Sequence, residues 1–243
     1  MLDGDTYRRH VEAAGTALAD AAEGHLADPV PSCPDFTVET LVKHAATFCQ
    51  WVAAILDEGG LAVAPNEVGE GEPIALHRKE HASLVEALDT VDFDHDCWSW
   101  GSDQHARFWF RRAAHELAVH CWDVQNAVGA PSPIDPALAF DGVDEFAREF
   151  SPIHPIFGPG AAAKLGVDGE SIHLHATDTD GELLIACRGD SWDVTNEHAK
   201  GTVAARGRAE DLYLFAWGRA PVSTLEVLGD ASILDRWAEH VHI

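Results

Sequence analysis

The chain has 243 residues, 46% of them hydrophobic, enough to bury one large core or two of moderate size. Its 41 acidic residues against 16 basic ones leave a formal charge of -25, which excludes nucleic acid and anionic membranes as partners, since both need basic patches. Cys33, Cys49, Cys97, Cys121 and Cys187 are scattered without a CxxC pair and read as reduced thiols; "MLDGDTYRRHVEAAG" lacks the apolar run of a signal peptide and no stretch is apolar enough to span a bilayer, so a cytoplasmic location is expected.

Residues 5–26 carry Tyr7, Val11, Ala14 and Leu18 at helical spacing, and the prolines of "HLADPVPSCPD" close that helix in a loop. A second helix opens at Thr37, an N-cap with Glu39 in its first turn. Its stripe of Leu41, His44, Phe48, Trp51 and Ile55 sets one histidine in the middle of an apolar face. "EGGLAVAPNEVGEGEP" reads as a loop, and a third helix over about 73–89 carries Ile74, His77, His81, Leu84 and Leu88 on one side. The fourth helix contains "RRAAHELAVHCWD" and a stripe of Phe110, Ala114, Leu117, Cys121, Val124 and Val128. Four such stripes predict a helical bundle, whose facing helices are a common place for metal sites.

After about residue 150 the pattern changes. "SIHLHATDTDGELLIACRG" holds two strand-like runs around a turn at Asp178 to Gly181, "SWDVT" and "GTVAARG" read as further strands, "AEDLYLFAWGR" as a short helix, and "STLEVLGD" leads into a last helix "ASILDRWAEH". The expected fold class is α+β: a metal-binding helical bundle over 1–150, a linker at "SPIHPIFGPG", and a small α+β domain over 151–243.

The fourth helix looks at first like a zinc-protease motif, but His115 and His120 are five apart and point about 140° away from each other, at roughly 100° per residue. Glu116 and His120 differ by only about 40° and form the usable pair. A salt bridge from Arg112, four residues earlier, is the plain alternative for Glu116. With His44 the pair makes a set of two nitrogens and one carboxylate, which suits zinc or another divalent metal and leaves positions open for water or substrate. Asp123, three residues after His120, either orients that ligand or serves the surface. His77 and His81 share a face and could instead join His44 in a three-histidine site, or simply line the bundle. His173 and His175 alternate along a strand with no third candidate near in sequence, which favours a surface strand. Cys121 sits on a core stripe and Cys33 between prolines, so neither reads as an activated nucleophile.

"PVPSCPDFTVETLVKHAATFCQWV" and "FWFRRAAHELAVHCWDVQNAVG" together resemble the mycothiol-dependent maleylpyruvate isomerase family of actinobacteria, with Phe36 where members often have tryptophan. "DPALAFDGVDEFAREF" is similar to that family's connection between its halves, and "DLYLFAWGR" with "LEVLGDASILDRW" to its C-terminal domain. The resemblance implies a DinB-like four-helix bundle followed by a sterol-carrier-like domain. It implies zinc held by His44, Glu116 and His120, mycothiol as thiol cofactor or co-substrate between the two halves, and Arg219 of "WGR" as the arginine that steers an anionic group. Zinc lowers the pKa of a bound thiol and holds it as the nucleophilic thiolate. The expected activity is that of an isomerase, in which the thiolate adds to an activated double bond and leaves again, or of an S-transferase, in which it stays on a small-molecule electrophile. Two alternatives stand beside it: a metal-dependent hydrolase with metal-bound water as nucleophile, and a non-catalytic binding protein braced by its metal.

Overall fold

A computed structural model describes residues 1–60, 70–150, 165 and 168–241. The "SPIHPIFGPG" linker lies outside these, as does the middle of "EGGLAVAPNEVGEGEP". None of the described helices is long and apolar enough to cross a membrane.

The first four helices begin where local chemistry sets them. Helix α1 (Gly4–Ala22) is capped by Asp3, whose carboxylate accepts the Thr6 amide at 2.8 Å. Helix α2 (Val38–Glu58) opens at the expected Thr37, whose hydroxyl accepts from the Thr40 amide at 3.3 Å, and it stops at Gly59, which takes the left-handed φ of 67° that other residues avoid. Helix α3 (Pro73–Thr90) has Glu72 as its cap and a proline in its first turn. Helix α4 (Ala106–Ala127) starts ahead of the predicted stripe and ends with its last member, Val128, as the C-cap. α1 packs on α4 and α2 on α3, closing the bundle. Leu41, Val52, Leu84, Leu117 and Val124 are buried in it, each stabilising the fold by roughly 1.5–3 kcal/mol relative to exposure.

The chain divides into two compact units, Met1–Ser132 and Pro133–Ile243. The division precedes the expected one at residue 150 because the segment read as a connection folds as part of the second unit. Helix α5 (Pro136–Glu145) packs on helix α6 (Ala209–Ala216), and the Ile134 amide donates to Glu210 Oε1 at 3.1 Å. A π-helical turn (Phe146–Phe150) continues α5 and buries Phe146 against Trp217. The sheet comprises β1 (Ser171–Ala176), β2 (Glu182–Arg188), β3 (Ser191–Thr195), β4 (Val203–Gly207) and β5 (Glu226–Gly229), in the order β3-β2-β1-β4-β5. β1 runs parallel to β4, and the other neighbours are antiparallel. One face buries Ile172, Leu174, Leu183, Ile185, Val203 and Ala205; the other carries His173, His175 and Glu182. Helix α7 (Ser232–His240) covers the unit with Trp237, whose ring stacks on Trp192. The result is a four-helix bundle followed by a sheet domain with helices, the α+β class expected from the sequence.

Candidate metal centre

α2 and α4 present the three predicted ligands to one another. His44 Nε2 lies 3.0 Å from Glu116 Oε1, and His120 Nε2 lies 3.3 Å from the same oxygen. The two imidazoles meet edge to face with centroids 5.0 Å apart. The ligand atoms of all three residues fall within 4.8 Å of one another. Glu116 and His120 side chains are 12% and 11% exposed, whereas that of His44 is 44% exposed, so the cluster is rooted in the bundle and open on the His44 side.

The second carboxylate oxygen has a separate partner. Arg112 Nη2 donates to Glu116 Oε2 at 3.3 Å, so the salt bridge weighed as an alternative coexists with the histidine cluster instead of replacing it. Burial by itself would raise the Glu116 carboxyl. The positive charge on His120, the hydrogen bonds from His120 and His44, and Arg112 outweigh it and hold the group well below the usual carboxylate range. His120 shows the reciprocal effect: burial lowers it, but Glu116 and Asp123 push it up to about 9.

Asp123 is fully buried, and its Oδ2 lies 3.0 Å from His120 Nδ1, which turns His120 Nε2 toward Glu116. Asp123 is itself positioned by the loop between α1 and α2. Ser32 Oγ donates to its Oδ1 at 2.6 Å, and Cys33 Sγ lies 3.9 Å from its Oδ2. That loop is tied by backbone bonds from Val30 to Phe36 and from Cys33 to Val30, and Phe36 meets the His44 ring edge-on. Ser32 is the contributor that reading the sequence passed over, because it reaches Asp123 across 91 residues and no local pattern announces such a bond.

The remaining candidates are placed elsewhere. His77 Nε2 donates to the Gly15 carbonyl and His81 Nε2 to that of Val11, both at 3.0 Å, with the two rings stacked. They lie between α1 and α3, apart from His44. A Cβ on Gly15 would come within 2.3 Å of the His81 ring, so glycine there is what lets the helices close over these histidines. His115 is buried against Tyr7. Burial pushes the Cys121 thiol up to about 12, and Cys49 also shifts upward, which suits neutral core thiols. Arg219 lies in the second unit, just past α6, where its Nη1 donates to the Trp217 carbonyl at 2.7 Å.

The donor set fits a divalent metal. Two imidazole nitrogens converge on one carboxylate oxygen, and the outer nitrogen of one ring is held by a buried carboxylate, the usual support of a metal-bound histidine.

Residues 7–125 match the description "Mycothiol maleylpyruvate isomerase N-terminal domain", and residues 137–236 match "MDMPI C-terminal domain". Two solved structures share the fold over 93% of this chain and 93% of theirs. One is a crystal structure of the mycothiol-dependent maleylpyruvate isomerase (13% identity, TM-score 0.62), and the other is that of a histidine-to-alanine mutant of the enzyme so named (12% identity, TM-score 0.64). No curated protein matches the chain by sequence. With both domain descriptions matched in order and the same fold found end to end, the chain belongs to the mycothiol-dependent maleylpyruvate isomerase family.

Proposed function

We propose that this protein is a metal-dependent enzyme that uses mycothiol against a small electrophile, as an isomerase or as an S-transferase, with His44, Glu116 and His120 as the metal ligands. The observation that carries the reading is the convergence of His44 Nε2 and His120 Nε2 on a single Glu116 oxygen. Family membership supports the thiol. A bound divalent metal, zinc by preference for this donor set, supplies the charge that keeps a nearby thiol as its nucleophilic thiolate at neutral pH.

The chain's own residues do the rest. Glu116 stays ionised because Arg112 and the histidines surround it, so it is ready to act as an anionic ligand. Asp123 accepts the Nδ1 proton of His120, which leaves the Nε2 lone pair for the ligand role once the Nε2 proton departs. The partly exposed His44 marks the side from which thiol and electrophile enter. The buried thiols of Cys49 and Cys121 are held neutral and do not compete as nucleophiles. Arg219 is assigned an anionic group of thiol or substrate, where a guanidinium offers paired donors.

The test is metal analysis of the purified protein and of Glu116→Ala, together with mycothiol titration of the cobalt-substituted form, watched for the thiolate-to-cobalt absorption band. The wild type should hold metal in this site and develop the band; Glu116→Ala should lose both. A thiol that ignores the metal, or metal retained at this site without Glu116, sinks the assignment. Turnover of maleylpyruvate against conjugation of alkyl halides and epoxides then separates isomerase from transferase.

A further inference from the structure

The outer face of the sheet carries a second cluster. His173 and His175 alternate on β1 and share a side, and the antiparallel register sets Glu182 of β2 directly opposite His175. His198, from the segment between β3 and β4, folds back over the same spot. His175 Nδ1 lies 2.7 Å from Glu182 Oε1, His198 Nδ1 lies 2.7 Å from Glu182 Oε2, and His173 Nε2 lies 3.7 Å from Oε2. The three rings are mutual neighbours, with centroids 5.6 to 6.3 Å apart. One ligand atom from each of the four residues lies within 4.8 Å of the others.

Two features separate this cluster from an ordinary surface ion pair. The His173 side chain is only 9% exposed, yet its Nε2 is buried without a hydrogen-bond partner while facing the cluster. That nitrogen stands 3.7 Å from Glu182 Oε2, beyond hydrogen-bond length, so a cation between the imidazole and the carboxylate would satisfy both. The segment bearing His198 is also anchored close by: Arg148 donates to the Val194 carbonyl at 2.7 Å and to Asn196 Oδ1 at 2.6 Å, so His198 is presented from a short, pinned tether. The register neighbour Arg206, on β4, directs its charge to Glu226 at 3.1 Å.

The geometry points to a second metal site, formed by His173, His175, Glu182 and His198, that takes a divalent transition metal of the zinc type. Three imidazoles and a carboxylate favour zinc, nickel or copper over magnesium and calcium, which prefer all-oxygen sets. Four protein donors fill a tetrahedral shell, where neighbouring donors sit about 3.3 Å apart, so small side-chain rotations close the site. A shell completed by protein is structural: the metal would fasten the His198 segment to the sheet, independently of the bundle site.

The experiment is zinc titration of untagged, metal-stripped full-length protein, with bound metal counted by elemental analysis after desalting. The variants are Glu116→Ala, His198→Ala and Glu182→Gln; His198 is 81% exposed, so its removal leaves the fold intact. Two equivalents are expected in the wild type, with Glu116→Ala keeping the sheet equivalent and His198→Ala and Glu182→Gln each weakening it at least tenfold. One equivalent that survives Glu116→Ala but not His198→Ala upholds the sheet site and removes the bundle site. The proposal is overturned if the wild type binds none, if its only equivalent disappears with Glu116→Ala, if a second equivalent is indifferent to both sheet variants, or if it binds only at millimolar zinc.

Discussion

Asp123 acts on the candidate ligands through His120, whose tautomer and orientation it sets. Asp123→Ala should therefore weaken metal binding by 10–100-fold without abolishing it, a range typical of the carboxylates that support metal-bound histidines. Competition with a chromophoric chelator reads that out, and an unchanged affinity would show that His120 needs no such support. Ser32→Ala should move in the same direction by less, since it removes one hydrogen bond from a carboxylate that keeps another partner. At this scale the sequence was informative for Glu116 and His120 because helical periodicity alone brings residues four apart together. It was silent on Ser32, which approaches through the tertiary fold.

Between α1 and α3 the stacked His77 and His81 form a polar layer that is neutral when folded. Burial, only partly offset by the bond to Gly15, lowers His77 to about 4, and burial lowers His81 as well. An unfolded histidine titrates near its ordinary value of about 6.5, so below that pH the unfolded chain binds more protons. The stabilisation from neutral His77 is thus complete above about pH 6.5 and is lost as pH falls toward 4. Between pH 7 and pH 5 metal-free protein should lose about 2 kcal/mol from this residue, with His81 adding in the same sense. Urea unfolding at the two pH values measures the loss, and His77→Gln should flatten it; a pH-independent midpoint would contradict the neutral layer. Helix positions were legible from stripes, caps and prolines, and β3 fell where "SWDVT" predicted it. The parallel pairing of β1 with β4 was not, because it depends on a long-range register. For the same reason His173 and His175 looked like an isolated surface pair: Glu182 and His198 join them only through hairpin register and a returning segment.

For the molecule as a whole, the formal charge of -25 produces self-repulsion that the folded state must bear. Ions screen it, with a Debye length falling from about 30 Å at 0.01 M salt to about 8 Å at 0.15 M. The thermal midpoint should therefore rise between those salt concentrations, as scanning calorimetry of metal-free protein can establish; a flat or falling midpoint would mean that attractive ion pairs dominate. The compact units divide at Ser132 and Pro133, ahead of the expected 150, where the Gly- and Pro-containing stretch "GAPSPID" separates α4 from "DPALAFDGVDEFAREF". Only its packing on α6 reveals which core it serves.

The division of labour within the Glu116 carboxylate has a kinetic corollary under the proposed ligand set. With Oε2 gripped by Arg112, the group is discouraged from swinging between one-oxygen and two-oxygen coordination. A carboxylate free to swing can vacate or refill a position as substrates come and go. Here the number of positions left to solvent, thiol and substrate would be set by the protein and stay constant as they come and go.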